Sequence, residues 1–587
     1  MLPVDEFDPT AEQKAIIYAE LKPLAVVACP GSGKTATSVR RVADVRRRLE
    51  GTRNHVALLS YSNVAVDTFR SEYRSLRGVD GDSDRVVIQT VDSFITTFVL
   101  RPHGSRVMNC ERTPFLVLGG EPFLSNYRFG TDVKSLIGLD ELALSRQGGQ
   151  TIFYRQHKGG GASALDAEHT KIARASINKL AKIGGYTYAA GRAWARVLLN
   201  QEPRLTAALA RRFPQILIDE AQDIGTFEAE ILDLLSAAGS TISLVGDFHQ
   251  SIYGFNFASG EYLRAFSKRS DVLELPLTEN RRSMPCIVSA ANALAGTKSI
   301  PFRTTAPRYS GAYYWRYDEN QLPQTMSAWA TGLGASGYPL QEAAVLCRGS
   351  TLLSKLTSES SKLGQSAVKH FAAAAIEREQ GGDISKVVDH CAKGVMSIVR
   401  GLPNSFLGDL KGMRGDAESR TIRRLVWRLI RKPSTGVPLA TLAAKAAWLP
   451  QLKGNLNAWL TELESSSPYV REPTWDARVK STKLPEVGPL MAMDFGQNEW
   501  GRMRCGTVHS AKGEGIPAVL YLTTKKDVVA MVTGTNDEEG RIGFVAVTRA
   551  RDLLVIGIPR KTDKDVVDAL VQRGFVEWKP GNVAHPV

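Results

Sequence analysis

The sequence is poor in cysteine and has no long apolar run. Its 587 residues contain six cysteines, and no two of them form a CxxC pair. This scatter argues against a disulfide framework, a zinc ribbon or an iron–sulfur site. No stretch of about 18 apolar residues occurs, so no membrane-spanning helix is predicted. The acidic first six residues also lack the apolar segment of an export signal, and we therefore expect a cytoplasmic protein without a membrane partner.

Basic residues outnumber acidic ones. The chain has 74 Lys and Arg against 60 Asp and Glu, which gives a formal net charge of +14 and a pI near 9.4. An excess of positive charge favours polyanionic partners such as nucleic acid. An ordinary basic surface explains the same excess equally well, so charge alone leaves both interpretations open.

Short apolar runs bounded by turn residues recur along the chain. Runs of this kind are typical of buried parallel strands in an α/β domain. One group lies at residues 24–27, 56–59, 86–88, 216–218 and 242–245, and another at 343–346, 519–522 and 553–558. The two groups predict an α/β fold with two cores.

Each predicted core is interrupted by sequence of a different character. The first interruption contains three consecutive glycines and then a helical pattern at 173–181, and the second is helical and basic. We predict that both interruptions are mainly helical insertions. The predicted division is a first core at 1–99 and 184–276, a first insertion at 100–183, a second core at 277–355 and 494–587, and a second insertion at 356–493.

The octapeptide ACPGSGKT is a phosphate-binding loop signature. Its glycines, Gly31 and Gly33 on either side of Ser32, let backbone N–H groups approach phosphates closely. Lys34 would neutralise the terminal phosphates, and the Thr35 hydroxyl would be a ligand of Mg²⁺. The loop predicts a nucleotide site but does not identify the reaction.

A second nucleotide signature, the tetrapeptide DEAQ, closes an apolar run far downstream. Asp219 at the strand end would hold the same Mg²⁺ from the other side, and Glu220 is placed to orient the attacking water. The two signatures together predict an ATPase that uses ATP and Mg²⁺. The long separation between the two signatures indicates that a further segment is inserted between them.

Kinases, GTPases, transporters and helicases all have phosphate loops, so only an ordered set of motifs can distinguish them. This chain has such a set between residues 7 and 550, and it resembles the UvrD/Rep/PcrA branch of superfamily 1 helicases. The motifs are FDPTAEQ, ACPGSGKT, DEAQ, VGDFHQSIY, LTENRRS, TVHSAKG and VAVTRA. The resemblance covers both cores and fades within both insertions. It implies two RecA-like domains, with parallel sheets, that close on ATP.

The resemblance also assigns roles at the nucleotide. It gives Gln13 to the adenine edge and Gln250 to sensing the γ-phosphate. Arg282 and Arg549, from the second core, would be arginine fingers. Phosphoryl transfer develops negative charge on the γ-phosphoryl oxygens, and guanidinium groups from another domain stabilise it only when the cleft is shut. Hydrolysis would then be coupled to domain motion.

Further motifs of the resemblance would face DNA. Planar side chains let bases stack without regard to sequence, at roughly 1–3 kcal/mol per base. The alternative for Phe94 and Tyr61 is an ordinary place in the core, and His509 is expected at DNA or at a contact between domains. The predicted DNA contacts are Tyr61, Asn63, Phe94, Tyr253, Phe255 and His509.

The chain departs from the family around the base and the ribose. The usual Arg and Tyr that sandwich the adenine are replaced by Ala36 and Arg281. Either Gln13 then discriminates the base almost alone, or the guanidinium plane of Arg281 stacks on it. The glutamate expected near the ribose is displaced by one position, to Glu514.

The leading hypothesis is an ATP-dependent DNA translocase and helicase that moves 3′ to 5′ on single-stranded or tailed duplex DNA. The alternative is a DNA-stimulated ATPase that acts as a sensor or regulatory subunit beside a separate nuclease, as in some bacterial anti-phage systems, and unwinds poorly by itself. A nucleotide-binding scaffold without turnover conflicts with the presence of Glu220, Gln250 and both arginines.

Overall fold

The computed structural model describes most of the chain. The described residues are 8–77, 85–118, 121–131, 136–157, 161–252, 254, 258, 260–305, 308–356, 366–379, 384–404, 406–411, 417–482, 484–486, 488, 490 and 503–579. Within these ranges, no helix combines the length and apolar character needed to cross a membrane.

The first part of the chain alternates helices with buried strands. Its elements are α1 (Ala11–Ile17), β1 (Leu24–Ala28), α2 (Lys34–Arg48), β2 (Val56–Ser60), α3 (Asn63–Arg77), β3 (Val86–Thr90) and α4 (Val91–Ile95). All three strands coincide with predicted apolar runs.

The region of the predicted first insertion is only partly helical. It contains α5 (Arg101–His103), α6 (Ser105–Met108), β4 (Phe115–Leu116), β5 (Leu142–Gln147), β6 (Gln150–Gln156), β7 (Ala162–Ala164) and α7 (Ala167–Lys182). Strands β5, β6 and β7 form an antiparallel sheet that the sequence reasoning missed. Gly148 and Gly149, both at positive φ, make the two-residue turn of its first hairpin.

The chain then completes the first sheet. The elements are β8 (Gly185–Tyr186), α8 (Tyr188–Gln201), α9 (Pro203–Arg212), β9 (Gln215–Ile218), α10 (Thr226–Ala237), β10 (Thr241–Gly246), α11 (Glu261–Ser267) and β11 (Leu273–Leu277). The strand order is β11-β1-β10-β9-β2-β3, and every pair is parallel.

The second sheet begins after β11. Its first part comprises β12 (Glu279–Asn280), α12 (Pro285–Ala295), β13 (Ile300–Pro301), β14 (Gly311–Tyr317), α13 (Leu322–Ala335), β15 (Ala343–Cys347) and α14 (Ser350–Leu356). Strands β12 and β13 form a separate two-stranded parallel pair.

The second predicted insertion is mainly helical, as expected. It contains α15 (Ser366–Glu379), α16 (Ile384–Ile398), β16 (Val399–Arg400), α17 (Phe406–Lys411), α18 (Ala417–Arg431), α19 (Leu449–Ser466), β17 (Val470–Arg471) and α20 (Trp475–Arg478). These helices bury an apolar core of their own, with Phe371, Leu425 and Trp448 among its members.

The last part of the chain returns to the second sheet. The elements are β18 (Arg504–Thr507), β19 (Ile516–Leu522), α21 (Lys525–Thr533), α22 (Glu538–Val547), β20 (Ala550–Pro559), α23 (Lys564–Gln572) and β21 (Val576–Glu577). The strand order is β18-β15-β19-β20-β14-β21, again with parallel neighbours.

Both large sheets are covered on their two faces. In β1, Leu24 and Val26 enter one apolar cluster, whereas Ala25 enters the cluster on the opposite face. The second sheet alternates in the same way, with Ala344 and Val345 on different sides. Two-sided burial explains the continuous apolar runs of the sequence, and the predicted α/β class with parallel sheets is confirmed. We call the first sheet with its helices the first lobe (8–100 and 184–277) and the second sheet with its helices the second lobe (279–356 and 503–579).

Candidate functional site

The predicted nucleotide residues of the first lobe follow β1, β9 and β10. The carboxyl ends of parallel strands meet at one edge of a sheet, which is where ligands bind in such folds. The phosphate loop follows β1, Asp219 follows β9, and Asp247 follows β10. The topology therefore brings together motifs that lie up to about 200 residues apart in sequence.

The phosphate loop depends on its glycines. Gly31 and Gly33 have φ values of 73° and 79°, which favour residues without a Cβ. A Cβ on Gly31 would also lie 2.5 Å from the Cβ of Arg282, so the loop and the second lobe approach each other closely here. Lys34 and Thr35 lie in the first turn of α2, whose N-terminal N–H groups favour anions.

Gln13 lies beside this loop, and its assignment to the adenine edge stays a prediction. The Thr10 side chain caps α1 by accepting from the Gln13 N–H, and the Thr10 N–H donates to Gln13 Oε1 at 3.0 Å. Gln13 Nε2 donates to the Ser32 carbonyl at 3.1 Å. The buried Arg41 guanidinium donates to three carbonyl groups, that of Ile17 at the end of α1 and those of Ala19 and Glu20 just after it. These contacts fix α1, and hence Gln13, against the phosphate loop.

Asp219 and Glu220 form an acidic pair at the end of β9. Asp219 is 2% exposed, and its Oδ1 has no hydrogen-bond partner within the described part of the chain. Burial and the neighbouring Glu220 carboxylate raise the pKa of Asp219. Burial also opposes ionisation of Glu220, but Lys34 and Lys512 outweigh it and hold the pKa of Glu220 below its usual range. Glu220 also adopts a left-handed backbone (φ 56°), a strained conformation that is typical of functional sites.

The acidic pair fits a divalent cation. A buried carboxylate oxygen without a partner costs free energy unless a ligand satisfies it. Carboxylate and hydroxyl oxygens are the ligands that Mg²⁺ prefers. Asp219 and Thr35 are the protein groups that could hold the ion, and phosphate oxygens of the nucleotide would complete its coordination.

Two arginines of the second lobe face this edge. Arg282 donates to the carbonyls of Thr548 at 3.2 Å and Gly513 at 3.0 Å. Arg549 donates through Nη1 to the Glu514 carbonyl at 3.2 Å and through Nη2 to Gln250 Oε1 at 3.0 Å. Burial lowers the pKa of Arg282 and lowers that of Arg549 to about 9. Buried guanidinium groups whose hydrogen bonds go to neutral oxygens are suited to binding an anion.

Gln250 connects the lobes. It lies in a short 3₁₀ turn after β10 and donates to Asp247 Oδ2 at 2.7 Å. Its Oε1 accepts the bond from Arg549. The amide thus touches both the second-lobe arginine and the carboxyl end of β10, and its role as a sensor of the γ-phosphate stays a prediction.

The residues predicted near the base and ribose have protein partners. The Arg281 guanidinium lies 4.1 Å from the ring centroid of Phe302, a residue that is 51% exposed. The Glu514 carboxylate accepts hydrogen bonds from Arg504. Sequence reasoning missed Phe302, since only the short pairing of β12 with β13 brings it beside Arg281.

Of the predicted DNA contacts, Phe94 and Tyr61 pack into the core of the first lobe and His509 lies between the lobes. Phe94 is 4% exposed and packs against Phe98 and Phe213, so it is a core residue in this structure and offers no free face to a base. Tyr61 packs partly into the same cluster. His509 lies 3.0 Å through Nε2 from the Ile252 carbonyl of the first lobe, which places it at a contact between lobes.

Three further DNA predictions remain without a described side chain. Asn63 begins α3, but its side chain is outside the described set. Tyr253 and Phe255 lie outside the described residues altogether. Their roles stay predictions.

A partly buried ionic network lies beside the predicted DNA segment. Arg192 of α8 forms two 2.8 Å bonds with Asp92 and lies 3.0 Å from Glu228. Asp92 and Arg192 also line a cavity of about 290 Å³ between α8 and the strand β5. Sequence reasoning missed this network, because its members are far apart along the chain.

The second lobe contributes one more residue that the sequence reasoning quoted without assigning it a role. Lys512, in the motif TVHSAKG, donates to Asp223 Oδ2 of the first lobe. Burial raises the pKa of Asp223 to about 7. The pair lies next to Glu220, with 3.8 Å between Lys512 Nζ and Glu220 Oε2.

Part of the chain is similar in sequence to known helicases. The family model of the UvrD/REP helicase N-terminal domain matches residues 9–133 and 161–271. "ATP-dependent DNA helicase UvrD2" of Mycobacterium tuberculosis is 26% identical over 365 residues, which cover 57% of this chain and 51% of that protein. "DNA helicase II" of Escherichia coli is 36% identical over 101 residues, 17% of this chain and 14% of that protein.

A further relative, "DNA helicase II" of Haemophilus influenzae, is 31% identical over 102 residues, which cover 17% of this chain and 14% of that protein. The matches thus span about half the length of UvrD2 and less of the other two. The matched family model ends within the first lobe, whereas Arg282 and Arg549 lie in the second lobe, outside the match. The first part of the chain is thus similar to the N-terminal domain of UvrD/REP helicases, and a longer stretch of it is similar to UvrD2.

Proposed function

We propose that this protein is an ATP-dependent DNA translocase and helicase that moves 3′ to 5′ on single-stranded DNA. The observation that carries the proposal is the bond between Arg549 of the second lobe and Gln250 of the first, beside the acidic pair Asp219 and Glu220. Hydrolysis at such a site requires both lobes, so turnover can drive motion of one lobe against the other. The names of the relatives support DNA as the substrate that is moved.

Nucleotide binding would begin at the phosphate loop. The N-terminal N–H groups of α2 and the Lys34 ammonium would bind the β- and γ-phosphates. Thr35 and Asp219 would hold Mg²⁺, which, when bound, neutralises charge on the phosphate oxygens. Gln13 and Arg281 would lie at the base and Glu514 at the ribose. The motifs that contain these residues support this orientation of the nucleotide in the site.

Hydrolysis would use groups from both lobes. Glu220 is ionised at neutral pH because nearby ammonium groups lower its pKa, so its carboxylate can accept a hydrogen bond from the attacking water. Arg282 and Arg549 would stabilise the negative charge that develops on the γ-phosphoryl oxygens. Gln250 would report the presence of that group to Asp247 and the end of β10.

DNA would bind across the same edges of the two sheets. Tyr61, Asn63, Tyr253, Phe255 and His509 remain the proposed contacts, and the net positive charge favours a polyanion. Base stacking tolerates any sequence, which movement along DNA needs. A separate nuclease is the proposed partner only under the alternative function.

Strand separation by the purified chain tests the proposal. Duplexes with a 3′ tail, a 5′ tail or blunt ends are incubated with ATP and Mg²⁺, with Lys34→Ala as the matched control. We expect ATP-dependent separation of the 3′-tailed duplex alone, and none by the control. Separation of only the 5′-tailed duplex would contradict the polarity. DNA-stimulated ATP turnover without any strand separation would instead support the sensor or regulatory role.

A further inference from the structure

Lys512 of the second lobe reaches into the acidic end of β9. Its Nζ donates to Asp223 Oδ2 and lies 3.8 Å from Glu220 Oε2. The Lys512 side chain is 7% exposed and that of Asp223 is 1% exposed, so the contact is shielded from water. Removal of one partner from a shielded ion pair leaves the other charge buried and uncompensated, which costs far more than at an exposed pair.

The backbone beside Lys512 is bound by both arginines. Arg282 donates to the carbonyl of Gly513, and Arg549 donates to the carbonyl of Glu514. The turn 512–514 therefore contacts the carboxylates of the first lobe through its side chain and the proposed arginine fingers through its carbonyl groups. If either arginine moved towards a phosphate, its hydrogen bond to this turn would change, and Lys512 would move with the turn.

We propose that Lys512 is a positioning residue that couples closure of the two lobes to ATP hydrolysis. The inference rests on the proposed function and deepens it. While the lobes are in contact, the ammonium group holds Glu220 and Asp223 in place. When the lobes separate, Lys512 leaves with the second lobe, and Glu220 loses a fixed partner beside the position of the attacking water. The open protein then hydrolyses ATP slowly.

Lys34 cannot replace Lys512 in this role. Lys34 is the other ammonium group whose charge acts on Glu220, and it belongs to the first lobe. Once phosphates bind, Lys34 is engaged by them. Lys512 then remains as the ammonium group that orients the carboxylates, and of the two lysines only Lys512 depends on closure.

The test separates turnover from nucleotide binding. In Lys512→Met we expect kcat for DNA-stimulated hydrolysis to fall at least about 30-fold, while KM for ATP changes less than about threefold, since the loss concerns the transition state. Lys512→Arg, which keeps the charge, should recover part of the rate. Lys525→Met is the matched control, because Lys525 forms an exposed ion pair with Asp563 within the second lobe alone. It should turn over like the parent.

A double variant tests whether Lys512 acts through Asp223. Asp223→Asn removes the negative charge with which Lys512 pairs, so the two losses in kcat should not multiply when the substitutions are combined. Thermal unfolding establishes that each variant is folded. If Lys512→Met does not fold, Asp223→Asn alone must show the same loss in kcat with little change in KM.

Three results would overturn the inference: a parental kcat in Lys512→Met, a rise in KM that accounts for the whole loss, or losses that multiply in the double variant. Failure of the proposed function would look different, because the parent protein itself would then separate no tailed duplex with ATP, whatever the kcat of Lys512→Met.

Discussion

Arg549 of the second lobe donates through Nη2 to Oε1 of Gln250 of the first lobe, at 3.0 Å. Both side chains are almost completely buried. Gln250 in turn donates to Asp247, at the end of the strand next to β1. A guanidinium group of one sheet is thus linked to the ligand edge of the other by two hydrogen bonds. A γ-phosphate that attracts Arg549 would disturb these two hydrogen bonds, and the change would affect the positions of side chains in both lobes.

Removal of the arginine should abolish hydrolysis without abolishing binding. We expect Arg549→Ala to lower kcat by about 10³-fold or more, because arginine fingers contribute on this scale. Gln250→Ala should lower kcat less, and the double variant should be no slower than Arg549→Ala, since the two side chains act together. Steady-state ATP turnover with saturating DNA is the measurement. Independent, multiplying effects would show that the bond between them has no role in turnover.

Substitution of the carboxylate should separate binding from chemistry. Glu220→Gln keeps the shape of the side chain but cannot accept a proton, so we expect hydrolysis to fall at least about 100-fold. ATP affinity, measured with a fluorescent analogue, should stay close to that of the parent. Lys34→Ala, in contrast, should lose affinity as well. A Glu220→Gln protein that hydrolyses ATP at nearly the parental rate would refute the assignment of Glu220 to the water.

Base selectivity should be weaker than in a site that sandwiches adenine between two side chains. Ala36 has no group that can stack, and the Arg281 guanidinium already lies over Phe302. We expect modest preference for ATP over GTP in the parent, little in Gln13→Ala, and more in Arg281→Tyr. Turnover of the two nucleotides is compared in each protein.

Gln13→Ala also removes a contact of the helix cap, so it needs a control. Thr10→Ala disrupts the cap of α1 but leaves the Gln13 amide in place. We expect this control to keep the parental preference. A strong ATP preference that survives Gln13→Ala would show that another residue recognises the base.

Salt should weaken the effect of DNA. Binding to phosphates releases counterions, so the DNA concentration that half-stimulates hydrolysis should rise steeply between about 50 and 200 mM salt. Phe255→Ala should raise that concentration further, at every salt level, because stacking contributes independently of charge. The control is ATP turnover without DNA, which should change little over the same range. Stimulation that is equal at all salt concentrations would argue against contacts with the DNA backbone.

The strands with continuous apolar sequence were predictable, and the others were not. β1, β2 and β9 are buried on both faces and therefore appear as apolar runs. β11 was missed because it is an edge strand, with charged Glu274 and with Pro276 in its sequence LELPL. β14 was missed since its sequence, GAYYWRY, has no continuous aliphatic run.

The residues of the candidate site were predictable where a single sequence motif contains them. Gly31, Lys34 and Asp219 lie at the ends of parallel strands, so sequence order and topology together place them at one edge. Lys512, Phe302 and Arg192 were not predicted, because each acquires its partner only through tertiary contacts between distant segments. Phe94 was predicted as a DNA contact but lies in the core. An aromatic residue can stack on a base or pack in a core, and the sequence alone does not distinguish the two.

ATP turnover with and without single-stranded DNA tests the central claim most directly. The claim is that DNA favours the closed arrangement, in which Arg549 of one lobe stabilises the γ-phosphoryl oxygens and Glu220 of the other orients the attacking water. We predict that single-stranded DNA raises kcat at least about tenfold in the parent, since closure completes the catalytic site, and leaves Glu220→Gln near background. Equal turnover with and without DNA, or turnover no higher than that of Glu220→Gln, would contradict it.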